Sequence, residues 1–119
     1  MRPDPRYVRP FEWHFTEVAG GVVTVVDPRA TAFDGHFPGR PVMPGVCLVD
    51  MADRAGRAVG LVTDTLLAVE RASFLQPVRP GDRLTVSLSR NGATLNAAVR
   101  VDGAERCRIR LRYGAPSWS

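Results

Sequence analysis

From Leu84 to Tyr113, apolar side chains return at every second position through three successive runs, and this period of two fixes most of what the chain can fold into. Leu84, Val86 and Leu88 alternate with Thr85, Ser87 and Ser89. Leu95, Ala97, Val99 and Val101 form the next stripe, and Cys107, Ile109, Leu111 and Tyr113 alternate with Arg106, Arg108, Arg110 and Arg112. Successive side chains of a strand point to opposite faces, so each run is a strand with one apolar and one wet face. Asn91-Gly92 and Asp102-Gly103 separate the runs, and both dipeptides favour the tight turns of antiparallel hairpins. Two hairpins therefore close a meander whose apolar face must be covered. The alternating arginines read as the wet face of the last strand rather than as a phosphate-binding ladder. No aromatic residues stand between them to stack bases.

The cover lies earlier in the chain. Pro44-Gly45 opens a proline-free segment that ends at about Gly60, which is how a helix starts and stops. Val46, Val49, Met51 or Ala52, Ala55 and Val59 recur along it at helical spacing. "GGVVTVVDP" is a β-branched strand closed by Asp-Pro, "TLLAVERASF" is a further strand, and "QPVRPGDR" is a turn. "FEWHFTEV" forms a short helix or strand. The expected fold class is α+β, an antiparallel β-sheet wrapped around one long central helix. It forms a single domain over residues 1–119, with an extended lead-in at 1–10 and a frayed tail at 114–119.

A chain of 119 residues with 45% apolar and 24% charged residues has the composition of a folded globular domain, which removes disordered and collagen-like classes. All 16 basic residues are Arg, a bias expected of a G+C-rich genome, and the net charge of +4 favours an acidic partner. Cys47 and Cys107 lie far apart with no metal-ligand spacing and read as small hydrophobes in a reducing compartment. "MRPDPRYVRP" lacks the apolar core of a secretory signal, and no apolar run approaches the roughly 20 residues that cross a bilayer. A cytoplasmic location without membrane association is expected.

The remaining feature is "GHFPGRPVMPGVCLVD", residues 35–50, in which three prolines and three glycines surround one histidine before the helix begins. Pro38, Pro41 and Pro44 remove backbone freedom, and Gly35, Gly39 and Gly45 permit bends that other residues resist. Such a loop holds His36 in place. His14, with no comparable constraint around it, reads as a surface residue.

This segment resembles the signature of the hotdog-fold 3-hydroxyacyl-acyl-carrier-protein dehydratases of the FabZ and FabA type, His-Phe-Pro-Gly-x-Pro-x-x-Pro-Gly followed by a helix bearing Glu or Asp. "SFLQPVRPGDRL" is similar to the family's Phe-x-x-Pro-Val-x-Pro-Gly-Asp segment, and "VRVDGAERCRI" to its final hairpin. The likeness covers roughly residues 20–113. It implies dehydration of a (3R)-hydroxyacyl thioester on an acyl carrier protein to the trans-2-enoyl product, in fatty-acid or polyketide-type biosynthesis. It also implies a homodimer whose active sites take His36 from one subunit and Asp50 from the other. The Gly45 N–H is then the oxyanion donor. Phe37, Met43, Pro44, Val46 and Arg54 lie against the substrate, and Arg40 and Arg79 contact the carrier or the phosphate of its arm.

These residues suit that chemistry. A neutral imidazole takes the C2 proton, and a carboxylic acid in an apolar pocket donates one to the departing C3 hydroxyl. Neither a metal nor an organic cofactor is expected, because two His and two Cys do not make a ligand set and no Gly-rich phosphate loop is present. The family commonly has Gln one turn after the acid, whereas here Arg54 stands four residues after Asp50, and contact with a guanidinium works against a carboxyl as a proton donor. Arg54 is expected to turn toward Asp53 and leave Asp50 free. The alternatives are a hotdog thioesterase, a catalytically weakened carrier-binding subunit and, on charge alone, a nucleic-acid binder.

Overall fold

The computed structural model describes residues 12–27 and 42–115. Six strands and one helix follow in the order β1 (Thr16–Val18), β2 (Gly21–Val25), α1 (Gly45–Ala58), β3 (Thr65–Phe74), β4 (Arg83–Asn91), β5 (Thr94–Val101) and β6 (Ala104–Gly114). All strand pairs are antiparallel in one sheet of order β1-β2-β4-β5-β6-β3. The period-two runs become β4, β5 and β6, joined by the two expected hairpins. At the second, Asp102 and Gly103 both take positive φ, 51° and 79°, the geometry that matches the twist of paired strands.

β3 does not extend the meander at β4. It crosses over to pair with β6 and forms the far edge of the sheet. "FEWHFTEV" resolves to the short strand β1 at the other edge.

The apolar face is the core. Val22, Leu84, Val86, Leu95, Val99, Leu111 and Tyr113 from the sheet, and Leu48, Met51, Ala52 and Ala55 from α1, are all buried. Each large side chain removed from water contributes about 1.5–3 kcal/mol. The helix begins after Pro44 as expected and ends at Ala58, with Val59 as its C-cap. Its buried stripe keeps Met51, Ala52 and Ala55 of the one read in the sequence, adds Leu48, and leaves Val49 and Val59 partly buried against the core. Leu48, Met51, Ala52 and Ala55 follow the i, i+3, i+4, i+7 rule, so Val46 is left 75% exposed at the head of an outward stripe that continues through Asp50 and Arg54. Among the described residues no helix is long and apolar enough to cross a membrane.

A charged cluster fixes α1 on the sheet. The Tyr113 hydroxyl donates to Asp53 Oδ1 at 2.7 Å, while Arg57 Nε donates to Asp53 Oδ2 at 3.2 Å. Arg90 grips the Asp64 carboxylate through two bonds of 2.8 and 2.9 Å. The Tyr113 ring lies near both guanidiniums, 5.8 Å from that of Arg57 and 5.4 Å from that of Arg90. A tyrosine on an apolar face requires a partner for its hydroxyl, and here the helix supplies it.

Candidate active site

α1 begins over the end of the edge strand. A Cβ built on Gly45 would lie 2.7 Å from Phe74 Cζ, so glycine permits the ring of Phe74 to rest against the first turn. Gly45 is the first helical residue, so its N–H has no intrahelical acceptor and sits at the positive end of the helix. Around this point Val42, Met43, Leu48, Phe74, Leu75 and Val78 line an open, mainly apolar cavity of about 440 Å³. Met43 is buried and held there by its N–H, which donates to the Val78 carbonyl at 2.7 Å. A backbone donor beside an apolar cavity is suited to a thioester carbonyl with an acyl chain behind it.

Pro44 stands at the N-cap of α1, between Met43 and Gly45. Val46, read in the sequence as part of the packed stripe and as a substrate contact, points outward and is absent from the cavity wall. Asp50 is also outside that wall, with its side chain 43% exposed. Arg79 sits in the turn before β4, where its backbone N–H donates to Asp82 Oδ2 at 2.8 Å and its side chain is exposed. His36, Phe37 and Arg40 lie outside the described residues. His14 is exposed, and only its carbonyl is engaged, by Thr24 Oγ1 at 2.9 Å.

Arg54 does not turn toward Asp53. Its Nε lies 2.9 Å from Asp50 Oδ2. Adjacent residues on a helix diverge by about 100°, whereas residues four apart are neighbours on one face, so spacing favours Asp50. Asp53 is in any case already bonded to Tyr113 and Arg57. Burial, and then the nearby Asp50 charge, push the half-buried Cys47 thiol above its ordinary range; burial chiefly pushes the Cys107 thiol up to about 11. Neither is an activated nucleophile.

Phe74 is the site residue that sequence reasoning missed. The available signal was the pairing of a Gly at a helix start with an aromatic residue at a strand end, which carries meaning only once the two elements are known to meet.

The family model of the ApeI dehydratase, ApeI-like, matches residues 13–109. The chain is 37% identical over 93 residues to the 3-hydroxyacyl-[acyl-carrier-protein] dehydratase FabZ of Oenococcus oeni, covering 68% of this chain and 67% of that protein. It is 42% identical over 94 residues to the FabZ of Acidiphilium cryptum, covering 66% of this chain and 56% of that protein. Thus it spans between about half and two thirds of the length of such relatives. The dehydratase heterocomplex ApeI:P of Xenorhabdus doucetiae superposes with a TM-score of 0.72 at 22% identity, over 87% of this chain and 96% of that one, and has the same fold. With its antiparallel sheet, its single helix among the described residues and these matches, the chain is a hotdog-fold protein that belongs to the ApeI-like dehydratase family.

Proposed function

We propose that the protein removes water from a (3R)-hydroxyacyl thioester carried by an acyl carrier protein and yields the trans-2-enoyl thioester. The observation that carries this reading is the apolar cavity at the start of α1, with the Gly45 N–H beside it. The thioester carbonyl accepts from that N–H, which stabilises negative charge developing on its oxygen. His36 takes the C2 proton, the C2–C3 double bond forms, and the C3–O bond breaks as Asp50 supplies a proton to the leaving hydroxyl. The proton held by His36 then returns to Asp50 as the product departs.

Asp50 points away from the cavity of its own protomer, which supports a site completed by a second copy. The long edge strand β3 supports the same arrangement, since among the described residues nothing pairs with its outer side and it exposes Leu67, Val69 and Phe74. The test is incubation with a panel of 3-hydroxyacyl carriers, read by intact mass as the loss of one water. His36→Ala and Asp50→Asn should each lower the rate at least about a hundredfold without moving the thermal midpoint. Undiminished turnover in either variant would overturn the assignment.

The Asp50–Arg54 pair favours one second reading, a subunit that binds acyl carrier but has a disabled acid. In that case the wild type loads substrate without releasing water, and Arg54→Gln creates turnover where none existed.

A further inference from the structure

Leu75 lines the Gly45 cavity and also the end of a larger hollow, of about 650 Å³, on the opposite, wet face of the sheet. The hollow is built in rows across four strands. Ser89 lies opposite Asn96, Asn96 opposite Arg110, and Arg110 opposite Arg71. In the neighbouring row Ser87, Ala98, Arg108 and Ser73 stand in the same order. Directly opposed side chains in a sheet are about 5 Å apart at Cβ, so the first row is an unbroken line of hydrogen-bond donors and the second is interrupted only by Ala98.

The charges in this hollow are not balanced. Arg108 is answered by Glu105, which it grips through both nitrogens of one edge. Among the described residues the Arg110 side chain has only the Asn96 amide oxygen, at 3.2 Å from its Nε, and the Arg71 side chain makes no hydrogen bond or ion pair. Two like charges directly across a strand pair destabilise the sheet, and an anion between them removes that cost. Serine hydroxyls and the Asn96 amide N–H₂ supply further donors around the same point, and guanidiniums pair with phosphate oxygens in a fork geometry. The hollow is half open to solvent, and its volume is in the range of small-molecule sites.

We propose that this hollow receives the phosphate-bearing handle of the thioester whose acyl end enters the Gly45 cavity, with Arg71 and Arg110 as the guanidiniums that hold the phosphate. The proposal rests on the dehydratase reading for the identity of the thioester. It differs from the contact at Arg79 expected from the sequence, because Arg79 lines neither hollow. The handle bears phosphate in two possible substrates: a holo-carrier and coenzyme A share the phosphopantetheine arm, and coenzyme A adds the phosphates of its nucleotide.

The test uses one 3-hydroxyacyl group on three handles: holo-carrier, coenzyme A and phosphate-free pantetheine. In the Arg71→Gln/Arg110→Gln variant, KM should rise at least about tenfold for the phosphate-bearing substrates that the wild type accepts. It should stay unchanged for the pantetheine thioester, with kcat unchanged throughout. A rise for the carrier and coenzyme A substrates alike assigns the arm phosphate, which both carry, and a rise confined to coenzyme A assigns the nucleotide. Equal KM values in variant and wild type for all three, or an equal rise for all three, would overturn the proposal. Calorimetric titration with unacylated holo-carrier and with coenzyme A separates it from the dehydratase reading. If the wild type turns nothing over yet binds either, and the variant does not, the phosphate site stands and the reaction assignment fails. If the wild type binds neither, the site is disproved.

Discussion

Arg54 Nε lies 2.9 Å from Asp50 Oδ2, and both side chains are about half exposed on the outward stripe of α1. In the proposed reaction this pair must open before Asp50 hands a proton to the leaving oxygen. It is an i, i+4 ion pair in contact with water, worth about 0.2–1 kcal/mol. Arg54→Gln should therefore raise turnover, by up to about fivefold, since 1.36 kcal/mol corresponds to a factor of ten. The thermal midpoint should shift by less than about 3 °C. Steady-state kinetics with a carrier-bound substrate decide the matter, and a tenfold loss would make Arg54 a substrate contact rather than a restraint.

Gly45 and Phe74 set the width of the apolar cavity. Gly45→Ala places a methyl carbon where the ring now rests, and the half-exposed Phe74 must swing outward to admit it. Turnover of long-chain substrates should fall at least about tenfold, while stability changes by less than about 1 kcal/mol because alanine is the better helix former. Adding Phe74→Leu to Gly45→Ala should recover part of the lost rate. Were the double variant no better than the single one, the contact would not be what limits the cavity.

The Tyr113–Asp53 bond links the sheet to the helix that bears Asp50. Tyr113 is 2% exposed, and its hydroxyl serves an ionised partner, so Tyr113→Phe should cost about 2 kcal/mol and roughly 5–10 °C in thermal midpoint. Burial first, then the Asp53 hydrogen bond and charge, hold the Tyr113 phenol above its ordinary range. The folded state thus keeps this proton more firmly than the unfolded chain, whose tyrosines titrate near about 10. The associated stability is fully present below that pH and disappears as the solution becomes more alkaline. Cys107, pushed up to about 11 by burial, adds a loss that begins near about pH 9. Urea midpoints between about pH 8 and about pH 11 should fall steeply in the wild type and less steeply in Tyr113→Phe. Parallel slopes in the two proteins would remove Tyr113 as the cause.

Much of this architecture was legible in the residues themselves. The three alternating runs mark β4, β5 and β6 because a strand buried on one face leaves a period that nothing else imitates. The helix start was legible at Pro44-Gly45. The side of the sheet that β3 joins was not, since its sequence states only that it is a strand and pairing is decided by crossovers. The helix face is legible at Met51, Ala52 and Ala55 but not at its first turn, where Leu48 rather than Val46 fills the core. The partner of Arg54 was not legible, because Asp53 counts as a competing carboxylate only until the structure shows it bonded to Tyr113 and Arg57. The role of Phe74 depends wholly on tertiary contact. The residue assignments at Gly45 and Asp50 came from the resemblance of residues 36–50 to a family signature and not from periodicity.

The free margin of β3 gives the polypeptide a practical temperament. The outward backbone groups of this ten-residue strand, beaded with Leu67, Val69 and Phe74, will adhere to whatever extended segment arrives first. Overproduced chains whose edge stays uncovered should therefore yield deposits instead of usable material, so recovery from a cell will depend on prompt pairing more than on temperature.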